Sequence, residues 1–237
     1  MSGGEAFARR VIALAGTAVL ALFATFQVVN PKHPVHQNPP GFRDPVAAFE
    51  LASTPEQVFG ILGWPEDRAR EETVRQMDLG TRLDFLFLLA YPAFHVGIAL
   101  LLGAHGAPRA AVAGLVALAA VMAVGDALEN RELLRLMATT DPGAMAPALA
   151  RLRCFTLAKW WALFVASGLI AILVAREPGW WRWSAPFFGL AALVGFASAA
   201  YLPAIEMSAT PIAVAWAMTY ARAFAASPAT RRGRQAA

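Results

Sequence analysis

The feature that most constrains this chain is a recurrence of apolar runs such as Val11–Val29 (VIALAGTAVLALFATFQVV), each long enough to cross a bilayer as a helix. About 20 apolar residues in helical form span roughly 30 Å of hydrocarbon. In lipid, every backbone N–H and C=O must find its partner within the protein, which leaves helices or closed barrels. Of the 237 residues, 58% are apolar and only 15% charged, against about 25% charged in a soluble domain. No alternating strand pattern competes. The pattern predicts an all-α fold, a polytopic membrane helical bundle forming a single membrane-embedded domain over 1–237.

Six spans are expected, at 11–29, 81–103, 108–130, 154–175, 183–202 and 207–226. Pro211 interrupts the sixth and Arg222 sits near its end, so a re-entrant or surface-lying helix is its alternative. Arg9 and Arg10 ahead of the first span also fit a secretory signal peptide. The run is long for a signal core and no small-x-small cleavage site follows, so an uncleaved anchor is expected.

Orientation follows from where arginine collects in short loops. Arg9, Arg10, Arg109, Arg176, Arg182, Arg231, Arg232 and Arg234 all fall on one side of a six-span bundle. That places both termini in the cytoplasm and the chain in a bacterial-type inner (plasma) membrane. Arg68, Arg70, Arg75, Arg131 and Arg135 lie on the other side, in longer segments mixed with acids.

The net charge of +4 comes from short clusters at span ends, not from a dense basic patch with exposed aromatics, so nucleic acid is not an expected partner. Cys154 is the single cysteine, which excludes an internal disulfide and a cysteine-based metal cluster.

The segment 30–80 reads as an extracytoplasmic loop with surface helices. It opens with NPKHPVHQNPPGF, whose Pro31, Pro34, Pro39 and Pro40 exclude a helix. Thr54 before Pro55 marks a helix start, with Ser53 and Glu56 spaced as a capping box. Phe49, Val58, Ile61, Leu62 and Trp64 give this region an apolar side, to be laid on the membrane surface or against the bundle. The stretch EDRAREETVRQMD reads as a polar helix with Glu66–Arg70 and Glu71–Arg75 pairs.

The polar residues inside the spans carry the functional reading. Asp126, Glu129 and Asn130 are spaced i, i+3, i+4 and share one helix face. Asp84, Leu88, Tyr91 and His95 form a second stripe, and Thr156, Lys159 and Ser167 a third. At about 1.5 Å rise per residue, Asp84, Asp126, Glu129, Lys159 and Glu206 come within roughly 10 Å of one level near the extracytoplasmic side. A charge facing lipid at mid-span costs about 2.5–3.5 kcal/mol, so the stripes should turn inward and pair. Lys159 is the expected counter-ion, with Arg131, Arg135 and Arg153 able to reach the same carboxylates. Asp84, Asp126, Glu129 and Lys159 are the candidate catalytic residues. Asn130, Tyr91, His95, Thr156 and Arg153 are the candidate ligand-binding residues. The third helix should run on through NRELLRLM beyond the membrane. A salt-bridge network that only fixes helix register is the competing account of the same cluster.

Other signals are weaker. His33 and His36 form an HxxH near Asp44, but two ligands on a proline-rich loop fall short of a metal site. His95, beside Pro92, reads as a hydrogen-bonded packing histidine more than a haem ligand, and His105 as a solvated turn residue. Trp180, Trp181 and Trp183 read as an interfacial belt. No nucleophile elbow, HExxH, P-loop or GxGxxG is present, so no cofactor or metal is expected. Three functions remain. The first is a protein that binds or modifies a lipid-like or isoprenoid-like molecule, with membrane lipids as its surroundings. The second is a non-catalytic accessory subunit with partner membrane subunits. The third is a small proton-coupled transporter, which the absence of internal repeats disfavours.

Overall fold

The computed structural model describes residues 2–225. The chain folds into eight α-helices: α1 (Gly3–Val29), α2 (Pro45–Glu50), α3 (Pro55–Leu62), α4 (Arg68–Ala104), α5 (Arg109–Met137), α6 (Pro142–Val174), α7 (Ala185–Phe196) and α8 (Ala204–Phe224). No strand occurs among the described residues. The six longer helices close a ring in which α1 packs on α4, α4 on α5, α5 on α6, α6 on α7, α7 on α8, and α8 back on α1. The expected helical membrane bundle is therefore the observed fold.

Four helices, α1, α4, α5 and α6, are long and apolar enough to cross a membrane. Two expected spans differ from this. The stretch 183–202 contains the 12-residue α7, flanked by tighter 3₁₀ turns at Trp180–Ser184 and Ala197–Ala199. Pro203 then separates α7 from α8. The stretch 207–226 falls within α8 except for Ala226, which lies outside the described residues, as do Arg231, Arg232 and Arg234.

The apolar residues divide into two cores. The larger lies inside the ring and includes Ile12, Phe94, Ile98, Leu115, Met122, Phe164, Ile170, Phe188 and Ile212. The smaller lies beyond it, because three of the ring helices outrun their expected spans. α4 begins at Arg68, α5 continues to Met137, and α6 begins at Pro142. These extensions bury Met77, Leu133, Leu136, Met145, Leu149 and Leu152 against Phe49, Phe59, Ile61 and Leu62 of α2 and α3. The loop 30–80 is thus folded onto the bundle as a cap. Removing each such side chain from water is worth about 1.5–3 kcal/mol, which fixes α2 and α3 despite their shortness.

Local details of the cap depart from the sequence reading. Thr54 caps α3 by accepting from the Gln57 N–H, while the Gln57 side chain accepts from the Ser53 N–H at 2.7 Å, so the box is shifted by one residue from Ser53/Glu56. Arg70 is buried and donates to the Gly63 carbonyl at 2.6 Å instead of pairing with Glu66. Arg75 pairs with Glu72 at 2.7 Å, not with Glu71. Gly63 ends α3 at φ +93°, in a left-handed region that favours glycine. Trp181 is 1% exposed and donates to the Thr219 hydroxyl at 3.3 Å, so it belongs to the core, whereas Trp180 and Trp183 remain exposed as anchors would be.

Candidate functional site

At the seam between the two cores, three helices bring charge to one point. Gly125 of α5 sets the spacing. A Cβ there would lie 3.2 Å from the Lys159 amide nitrogen and 3.2 Å from the Phe155 carbonyl oxygen. A side chain there would press on the α6 backbone, so glycine favours the close approach of α5 and α6. Asp126 and Glu129 follow on the face turned toward α6. Lys159 Nζ donates to Glu129 Oε1 at 2.7 Å, to Asp126 Oδ1 at 3.0 Å and to Glu50 Oε2 at 3.4 Å. All three ammonium hydrogens are used.

Glu50, the last residue of α2, escaped the sequence reading because it lies in a six-residue helix outside every span. Its position is fixed twice over. The Trp160 indole N–H donates to Glu50 Oε2 at 3.4 Å, and the Thr156 hydroxyl donates to the Glu50 carbonyl at 3.1 Å. Lys159 also sits 5.4 Å from the Trp160 ring centroid, within cation–π range. Burial pushes the Glu50 carboxyl above the usual carboxylate range, and the Lys159 charge opposes that shift. On α5, one turn beyond Asp126, Asn130 donates to Asp84 Oδ2 of α4 at 2.8 Å.

Asp126, Glu129, Asn130, Thr156 and Lys159 are all buried. The centre therefore gathers Glu50, Asp126 and Glu129 around a single lysine, with Asp84 held by Asn130. Glu129 Oε2 and the Tyr91 hydroxyl are buried without a hydrogen-bond partner among the described residues. Such an arrangement can hold a positive charge, or separate the acid strengths of neighbouring carboxyls so that one donates and another accepts a proton.

Not every expected member joins. Arg153 is exposed on α6, about 120° round the helix from Lys159, and joins none of these ion pairs among the described residues. Arg131 is also exposed. Arg135 instead pairs with Glu132 at 2.8 Å, whose other oxygen takes Arg151 of α6 at 2.9 Å. Glu206 accepts from the Arg43 backbone N–H at 3.0 Å and stays with the loop. His95 is fully buried, with Nδ1 on the Tyr91 carbonyl at 2.9 Å. Ser167 is buried, but its hydroxyl makes no hydrogen bond among the described residues. His36 pairs with Asp67 at 2.6 Å, and this hydrogen bond holds the Asp67 carboxyl below its usual range.

The opposite end of the ring carries a second polar group. Arg9 of α1 donates to Glu5 Oε1 at 2.8 Å and to the carbonyls of Arg222 and Ala225 at the end of α8. His105, in the turn after α4, is not simply solvated. Its Nδ1 meets Glu177 Oε2 at 2.5 Å, and Glu5 lies 3.8 Å away.

Two shallow clefts lie on the outer surface. One, of about 480 Å³, is lined by Ile172, Arg182, Trp183 and Pro186; the other, of about 380 Å³, by Leu14, Ala18, Leu86 and Leu89. Neither is lined by a residue of the carboxylate–lysine centre. Among the described residues, no group of three or more His, Cys, Asp or Glu side chains is arranged to hold a metal ion. Compared with protein-family models, with curated proteins and with solved structures, the chain matches none.

Proposed function

We propose that this is an integral protein of a bacterial-type inner membrane, with six passes and both termini cytoplasmic, that binds or modifies a lipid-like or isoprenoid-like molecule. The observation that carries the reading is the buried meeting of Glu50, Asp126 and Glu129 on Lys159 at the join of membrane ring and cap. Register alone can be fixed by one pair, and burying surplus charge costs several kcal/mol per ion. Such a cost persists where the charges act on something. The apolar surface of the ring would take the tail, and the carboxyls would bind the head group or move its protons. Asp84, Asp126, Glu129 and Lys159 would act on the head group, with Asn130 and Thr156 positioning Asp84 and Glu50.

The test is extraction and mass spectrometry of the purified protein, wild type against the Asp126→Asn/Glu129→Gln double variant. The reading expects an amphiphile in near-stoichiometric amount that falls at least about tenfold in the folded variant, the equivalent of about 1.4 kcal/mol. A folded variant retaining the same amphiphile in the same amount would overturn it.

A second reading, an accessory subunit of a larger membrane complex, is favoured by one observation. Neither surface cleft reaches the centre, as expected if the ion pairs only clamp α2, α5 and α6. Mild purification would then recover stoichiometric partner chains and no bound amphiphile.

A further inference from the structure

About two to three turns further along α4 than Asp84, three packed rings carry polar atoms without partners among the described residues. Tyr91 and His95 are spaced i, i+4 on α4, and Trp216 faces them from α8. The His95 ring stands 5.3 Å from the indole of Trp216 with 79° between planes, and Tyr91 stacks on the same indole at 6.2 Å. Tyr91 and His95 lie 6.3 Å apart, completing a triangle. The Tyr91 hydroxyl, His95 Nε2 and Trp216 Nε1 are all buried with no hydrogen-bond partner among the described residues. His95 and Tyr91 are 0% and 3% exposed.

The tautomer follows from chemistry. The Tyr91 carbonyl can only accept, so Nδ1 of His95 carries the hydrogen in their 2.9 Å bond. Nε2 is then a lone-pair acceptor, while the indole N–H can only donate. An orphaned buried donor or acceptor costs about 1–3 kcal/mol, and three together are costly in a packed bundle. Pro92 adds to the account. Lacking an N–H, it frees the carbonyl of Leu88, one turn earlier on the same face of α4.

We propose that Tyr91, His95 and Trp216 form a binding site for one neutral hydroxyl group, which donates to His95 Nε2 and accepts from the Trp216 indole. The hydroxyl belongs either to a buried water, for which two to four polar partners suffice, or to an alcohol head group inserted between α4 and α8. A carboxylate fails at Nε2 because it has nothing to donate, and an ammonium fails at the indole because it has nothing to accept with. The site stands whether or not the carboxylate centre performs chemistry.

The experiment is NMR on the full chain, labelled with ¹⁵N-tryptophan and ¹⁵N-histidine, in lipid nanodiscs, with solvent extraction of the same sample. The Trp216 indole signal is assigned by its loss in Trp216→Phe or, should that variant not fold, by its shift in Tyr91→Phe. A cross-peak from the indole N–H to water, with His95 unprotonated at Nε2, identifies water. No water cross-peak but a co-extracted alcohol at about one per chain, lost in the Trp216 or Tyr91 variant, identifies an alcohol. Neither signal in the wild type overturns the proposal. Glu50→Gln, which touches the carboxylate centre alone, should leave the result unchanged, so failure of that centre's proposed role is read separately.

Discussion

The two polar groups at opposite ends of the ring are built on different balances. At the end formed by the α4–α5 turn and the close of α8, two acids, Glu5 and Glu177, meet Arg9 and His105. At the seam with the cap, Glu50, Asp126 and Glu129 gather around Lys159 alone, and Asn130 holds Asp84. The first arrangement ties the start of α1 to the end of α8 and closes the ring. The second exceeds what tying requires. The difference teaches that ion pairs in one small bundle serve two ends, and that a surplus of one sign separates a candidate site from a fastening.

The largest expected effect breaks the second arrangement. Lys159→Met leaves Asp126 and Glu129 buried and facing one another without a counter-ion. Removing one partner of a buried pair costs about 3–5 kcal/mol, and thermal unfolding in detergent at neutral pH should read a loss of that order. A change under about 1 kcal/mol would mean that the carboxylates are not committed to the lysine. Arg9→Met should cost less, about 1–3 kcal/mol, because it removes hydrogen bonds to Glu5 and two carbonyls while His105 remains near Glu5. If Arg9→Met proved the more damaging, the ranking of the two ends would be reversed.

Glu50→Gln sharpens the comparison with the smallest effect. The folded Glu50 carboxyl sits above its usual value of 4.5 because burial disfavours its charge. A carboxyl with a raised folded value contributes stability that is fully present below the unfolded value and is lost as pH rises through the folded one. Glutamine carries no such dependence. The stability of Glu50→Gln relative to wild type should therefore improve from about pH 5 to about pH 8, by about 1 kcal/mol or less. A relative loss over the same range would show that the charged form of Glu50 is the favoured one.

Much of this was legible in the sequence. The runs of apolar residues dictated a helical membrane bundle, and the i, i+3, i+4 spacing of Asp126, Glu129 and Asn130 placed them on one face that does meet Lys159 and Asp84. The continuation of α5 through NRELLRLM was legible too, since nothing in that stretch stops a helix. What was hidden depended on tertiary packing. Glu50 is the end of a six-residue helix with no periodic signal, and only the cap's apolar core delivers it to Lys159. The Glu132 pairing with Arg151 was likewise invisible, because it needs α6 to begin twelve residues before its expected span, at Pro142 rather than Cys154. Arg153 was misplaced as well: six residues from Lys159, it lies about 120° round the helix, and it is exposed.

The most direct test of the account is a double-mutant cycle between Lys159→Met and Glu129→Gln, read as unfolding free energy in the same detergent. Groups joined through a buried 2.7 Å ion pair should show a coupling of about 0.5–3 kcal/mol, with the double variant less damaged than the sum of the two single changes. Strict additivity within about 0.3 kcal/mol would contradict it, for then α5 and α6 would not meet through these charges and the centre at the seam would not exist.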